Sequence, residues 1–174
     1  MRGLIHIYAG DGKGKTTASI GLSVRCAGSG GDVVFAQFIK NNQSSELNIL
    51  KQLPNIQVIT CDKTFGFISK LTESERLEAK KVYSDHFCNV IKQVKSKDCK
   101  MLVLDEIIGA YNYNVIDRQE LIDFLKSKPE SLEVILTGRN PAKELLDMAD
   151  YVSEIKKIKH PFDQGICARI GIEK

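Results

Sequence analysis

An apolar run, Leu4-Ile5-His6-Ile7-Tyr8, leads directly into Ala9-Gly10-Asp11-Gly12-Lys13-Gly14-Lys15-Thr16-Thr17. From Lys15 to about Ala27 the composition is helical, and Gly28 with Gly30-Gly31 beyond it ends the pattern. A strand passing through a glycine-rich turn into a helix is the opening of a βαβ unit, which commits the chain to a sheet with helices packed on it. Backbone N–H groups of such a turn, together with the helix N-terminus, make a positive concavity suited to phosphate oxygens. Glycine permits backbone angles and close approach that a side chain would block. Residues Gly10, Asp11, Gly12, Lys13, Gly14, Lys15, Thr16 and Thr17 are therefore the candidate nucleotide-binding loop. Lys15 would reach a phosphate oxygen and the Thr16 hydroxyl a magnesium ion. The pattern departs from GxxxxGK[ST] at Ala9, where the first glycine would stand. A glycine-rich turn can be no more than a turn, but the Lys15-Thr16 pair between strand and helix favours phosphate binding.

The rest of the chain repeats the alternation. Val33 to Phe38, Ile56 to Ile59, Met101 to Leu104, Glu133 to Leu136 and Tyr151 to Ile155 read as strands. Thr72 with Glu75 forms a capping box opening a long helix, whose Phe87, Val90, Ile91 and Val94 recur at helical spacing. Further helices are expected around Arg118 to Lys126 and Ala142 to Ala149, and Asn41 to Ser45 is read as a loop. Lys63 to Lys70 shows no clear period. Strands alternating with helices predict an α/β, doubly wound, mostly parallel sheet with helices on both faces, a P-loop nucleotide-binding fold. At 174 residues, with no internal repeat or linker, one domain spanning residues 1–174 is expected.

Leu102-Val103-Leu104-Asp105-Glu106 delivers two acids at the C-terminal end of an apolar strand, where ligands bind in open α/β sheets. In phosphate-loop proteins an acid here holds the metal that bridges phosphates. Alone, Asp105 and Glu106 could equally cap the strand or pair with a lysine. Beside the loop, they and Thr16 become the candidate metal ligands.

Bulk properties exclude other classes. A net charge of +3, without a basic tail or stripe, argues against nucleic acid. Five cysteines without a CxxC pair argue against a disulfide framework or structural zinc. No run is long and apolar enough for a bilayer, and the start leaves no room for a signal peptide, so a cytoplasmic location is expected.

A phosphate loop and a metal acid specify a nucleotide and not a reaction. The remaining segments closely resemble the P-loop ATP:corrinoid adenosyltransferases. The resemblance rests on Gly10 to Thr17, Gln37-Phe38-Ile39-Lys40, Glu46, Leu104-Asp105-Glu106, Thr137-Gly138-Arg139, Ala149-Asp150, Lys159-His160-Pro161-Phe162-Asp163-Gln164-Gly165 and Gly171-Ile172. It runs in order along nearly the whole chain. It implies a homodimer that moves the 5′-deoxyadenosyl group of ATP to the cobalt of a reduced cob(I) corrinoid, releasing triphosphate. ATP and cobalamin, or another corrinoid, are then substrates, with Mg2+ or Mn2+ and a flavodoxin-like reductant as helpers. Lys15, Thr16 and Glu106 would be catalytic, with the metal on Thr16 and Glu106 and Asp105 beside them, and Arg139 would touch a substrate.

The resemblance also places Phe67 where the corrinoid's lower ligand is displaced, with Ser69 where some family members carry Trp. A core aromatic is the competing reading of Phe67. The chain starts just before its first strand, so the N-terminal helix that closes the site in some members is not expected. Lys40 and Arg139 are motif residues or solvated surface charges, and His160 is read as ordering its loop. His6 reads as a hydrogen-bonded core residue, His86 as lying on the exposed side of its helix, and Cys26 as packing. An ordinary ATPase or kinase would explain the loop and Asp105-Glu106 but not the C-terminal motif. A non-catalytic corrinoid carrier would need neither Lys15 nor the metal acid.

Overall fold

A computed structural model describes residues 2–40 and 44–173. Six strands form one sheet: β1 (Ile5–Ala9), β2 (Val33–Gln37), β3 (Ile56–Ile59), β4 (Met101–Asp105), β5 (Glu133–Gly138) and β6 (Tyr151–Glu154). Their spatial order is β3-β2-β4-β5-β1-β6, and every pairing is parallel. The α/β, doubly wound expectation holds. β2 and β4 are buried from end to end, as the unbroken apolar runs of a sheet covered on both faces require.

One face carries α1 (Lys15–Gly28) and the short α2 (Glu46–Leu50), which close a smaller core around Phe35, Leu47, Leu50, Val103 and Ile135. Past Lys15, the buried residues of α1 are Ser19 and Ser23, small side chains that let the helix lie close. The serine hydroxyls are satisfied within the helix, Ser19 donating to Thr16 O and Ser23 to Ser19 O, both at 2.8 Å. The other face carries α3 (Glu73–Lys95), α4 (Ile107–Asn112), α5 (Arg118–Ser127) and α6 (Lys143–Met148) over a larger core. α3 opens on the capping box: Glu75 N–H donates to Thr72 Oγ1 at 3.3 Å, and Thr72 N–H to Glu75 Oε2 at 2.8 Å.

Two helices escaped the sequence reading, α2 and α4, because five or six residues give too little periodicity to separate helix from loop or strand end. Of the Asn41 to Ser45 loop, residues 41–43 lie outside the described residues. Within Lys63 to Lys70, Ile68–Lys70 forms a 3-10 turn. His86 is a correction. It is buried, with Nε2 3.1 Å from Gln37 O and its ring edge-on to Phe38 at 4.9 Å. It stands three residues after Tyr83 and four before Val90, on the stripe that α3 turns to the sheet. Burial pushes its pKa below the ordinary histidine value.

The parallel arrangement brings the C-terminal ends of β1, β2, β4 and β5 to one edge. In register, Gln37 pairs with Asp105, Leu104 with Leu136, and Tyr8 with Thr137. Because β5 lies between β1 and β4, Thr137 comes between the loop after β1 and the acid that ends β4. β6 forms one border of the sheet, and all four of its residues are exposed.

Candidate functional site

The loop between β1 and α1 is shaped by two glycines and gripped by the chain that leaves β6. Gly10 has φ 115°, and a Cβ there would stand 2.4 Å from Ile155 O, so no side chain is tolerated. Gly12 N–H donates to Ile155 O, and Ile155 N–H to Ala9 O, both at 2.8 Å. Gly14, at φ 129°, is the N-cap of α1. Lys15 folds back over the loop, with Nζ donating to Gly12 O at 2.9 Å, and it is 7% exposed. Desolvation draws its pKa down, against the opposing pull of Glu106. Asp11 is exposed at the rim and accepts Lys157 N–H at 3.2 Å, which holds its carboxyl below the usual range. Lys13 and Thr17 are exposed on the same side.

At the centre is Asp105, whose side chain is fully buried. Its Oδ1 accepts from Thr16 Oγ1 at 2.9 Å and Thr137 Oγ1 at 2.7 Å. Its Oδ2 accepts from Lys40 Nζ at 2.7 Å and Gln37 Nε2 at 3.3 Å. Lys40 Nζ also donates to Thr16 Oγ1 at 2.8 Å. Residues from the ends of β2, β4 and β5 and the start of α1 thus converge on one carboxylate.

Glu106 follows in the left-handed region, φ 62° and ψ 18°, as the N-cap of α4. Its N–H donates to Thr137 Oγ1 at 2.9 Å. Alternation along an extended strand would send Asp105 and Glu106 to opposite faces. The turn to positive φ breaks that alternation, so Asp105 meets Thr16 while Glu106 lines the cleft with Lys15. Burial, and next the neighbouring Asp105, push the Glu106 pKa up, while Lys40, Lys15 and Arg139 oppose the shift.

Lys15, Thr16, Lys40 and Glu106 line a cleft of about 940 Å³. Its walls include Asp11 to Thr17, Lys40, Glu106, Arg139 and, from the C-terminal segment, His160, Pro161, Phe162 and Ile172. Arg139 is exposed, and Asn112 Nδ2 holds its loop by donating to Arg139 O at 3.0 Å and Asn140 O at 2.9 Å. His160 Nδ1 accepts Phe162 N–H at 3.2 Å and so orders the Pro161–Gln164 turn. Phe67 does not line this cleft. It is 77% exposed, which removes the core-aromatic reading, and Lys70 Nζ lies 5.5 Å from its ring centroid.

Thr16, Asp105 and Glu106 present hard oxygen donors, the set that magnesium takes. Among the described residues no three His, Cys, Asp or Glu side chains converge as a cation cage. Thr137 and Gln37 were not assigned roles from sequence. The signal was a polar side chain at the end of each apolar strand, level with Asp105.

Fold and loop together define an α/β protein built around a phosphate-binding loop. Structural similarity agrees at the level of fold. EssC (ATPases 2 and 3) from Geobacillus thermodenitrificans superposes with a TM-score of 0.50 at 16% identity, over 97% of this chain and 35% of that one. The family model for ATP:corrinoid adenosyltransferase BtuR/CobO/CobP matches residues 1–173, and this chain belongs to that family. The corrinoid adenosyltransferase of Escherichia coli (strain K12) is 32% identical over 99% of this chain and 86% of its own length. Corrinoid adenosyltransferase CobA of Salmonella typhimurium (strain LT2) is likewise 32% identical over the same shares. The corrinoid adenosyltransferase of a Sinorhizobium species is 35% identical over 99% of this chain and 80% of its own length.

Proposed function

We propose that this chain transfers the 5′-deoxyadenosyl group of ATP to the cobalt of a cob(I) corrinoid and releases triphosphate. One observation carries the reading beyond family membership: Lys15, Thr16, Glu106 and Arg139 line a single cleft, with Asp105 hydrogen-bonded to Thr16 behind it. A leaving triphosphate needs cationic and N–H stabilisation where its charge develops, and Lys15, Arg139 and the loop amides supply it. Thr16 and Glu106, with Asp105 behind them, would hold Mg2+ or Mn2+, which neutralises phosphate charge when bound. The cobalt electron pair forms the Co–C5′ bond as the C5′–O bond breaks, and its electrons leave on the triphosphate. No general base at the carbon is needed.

Phe67 acts on the corrinoid's lower ligand in this reading, outside the cleft walls. Its exposure suits a residue that meets a large second substrate. A flavodoxin-like protein supplies the electron, and the domain of residues 1–174 works in the cytoplasm as a homodimer. The exposed edge of β6, with Tyr151 and Val152, and the exposed Ile158 and Ile170 after it support pairing with a second copy. Incubation with ATP, Mg2+ and cob(I)alamin should yield triphosphate and adenosylcobalamin in equal amounts. ADP formed with or without corrinoid would instead make the protein a plain ATPase.

A further inference from the structure

A fully buried carboxylate needs a cation beside it, because a bare charge removed from water is strongly disfavoured. For Asp105 that cation is not the loop lysine, which donates to Gly12 O at 2.9 Å. It is Lys40, whose ammonium bridges Asp105 Oδ2 at 2.7 Å and Thr16 Oγ1 at 2.8 Å. A phosphate-loop hydroxyl and a strand-end acid are the pair between which an oxygen-seeking divalent ion is held. Ammonium and metal ion cannot share that position.

The backbone is built to put Lys40 there. Phe38 N–H donates to Asp105 O at 2.9 Å, extending the β2–β4 pairing by one residue. Ile39 then turns the chain at φ 44°, a strained conformation for a β-branched residue. Packing against α4 holds the turn, since a Cβ on Gly109 would stand 2.7 Å from Ile39 Cδ1. The Lys40 side chain is 23% exposed and faces the cleft, so unlike Asp105 it has a route out.

We propose that Lys40 is a placeholder cation: its ammonium sits on Thr16 and Asp105, takes up the Thr16 oxygen that the divalent ion would need, and is exchanged for that ion when metal and nucleotide bind. The proposal rests on the metal-dependent reading of this cleft. Metal uptake is then a cation exchange, weak without nucleotide, because the ion must displace a charge already in place. Lys40 protects the buried acid in the resting enzyme and sets the threshold for metal entry.

Mn2+ binding, followed by electron paramagnetic resonance without ATP or corrinoid, tests the exchange. Lys40→Met, and Lys40→Gln as a variant that keeps a polar head, should bind Mn2+ at least about tenfold more tightly than wild type. Their metal-free melting temperatures should fall, and Mn2+ should raise them more than it raises that of wild type. A residue serving only structure would weaken metal binding when replaced, so Mn2+ affinity equal to or below wild type in both variants overturns the proposal. The native protein gives an independent readout. Amine-reactive labelling of Lys40, mapped by peptide mass spectrometry, should rise on adding Mn2+, and unchanged labelling overturns the exchange. Wild-type adenosyl transfer, measured alongside, separates the two readings. Transfer without the Mn2+ difference sinks the placeholder alone, whereas the Mn2+ difference without transfer sinks the proposed function alone.

Discussion

Asp105→Asn changes one atom and disturbs four hydrogen bonds. Thr16, Thr137, Lys40 and Gln37 all donate to the Asp105 carboxylate. An amide offers one oxygen and an NH2 group. If the NH2 faces Oδ2 partners, it opposes the Lys40 ammonium and the Gln37 amide. If it faces the threonines, it meets hydroxyls already accepting from Lys40 and from Glu106 N–H. Either way Lys40 loses its counter-charge. Removing one partner of a buried ion pair costs about 3–5 kcal/mol. The lower end applies here, because Lys40 retains 23% exposure and water can take up part of its charge. For a chain of this size each kcal/mol is worth about 2–4 °C, so about 3 kcal/mol lowers the melting temperature by roughly 6–12 °C. Urea and thermal unfolding of the metal-free protein, with Asp105→Asn against wild type, measure this directly. The same variant should need more Mg2+ for half-maximal adenosyl transfer. A variant within about 0.5 kcal/mol of wild type would show that Asp105 is not the hub described.

Lys15→Ala should lower adenosyl transfer by about two orders of magnitude or more, the loss of roughly 3 kcal/mol of barrier stabilisation. It should leave a cooperative unfolding transition, and a folded, fully active variant would remove the loop from the reaction. Glu106 has a raised folded pKa, so it binds its proton more tightly folded than unfolded, and its cost to stability grows as pH rises above the ordinary value and is complete above the folded one. Glu106→Gln should therefore stabilise the metal-free protein at neutral pH, the gain vanishing as pH falls below the ordinary carboxylate value of 4.5, and melting across pH checks it. Phe67→Ala should change stability by less than about 0.5 kcal/mol, since the ring is exposed. It should slow adenosylation that starts from cob(II)alamin far more than from preformed cob(I)alamin, and equal slowing in both assays would detach Phe67 from lower-ligand removal.

Several parts of this molecule were decided within short stretches of chain, and the sequence alone determined them. β1, the glycine loop and α1 follow from residues 4–28, because strand propensity, positive-φ glycines and a helix start are all local. The Thr72–Glu75 capping box spans four residues and needs nothing else to form. Alternation of strands and helices was enough for a parallel α/β sheet, since parallel strands require crossovers. Tertiary structure alone decided which side chains meet. Nothing in the sequence places β5 between β1 and β4, and that placement is what sets Thr137 against Asp105. Strand alternation by itself would set residues 105 and 106 on opposite faces, but it ceases to apply where Glu106 leaves the strand at positive φ. Lys40 reads from sequence as either a surface charge or a ligand, and only the turn at Ile39 and its packing on α4 bring its ammonium to Thr16 and Asp105. Pairing partners 24 and 65 residues apart depend on sheet register and backbone direction, which are properties of the packed whole and not of any local window.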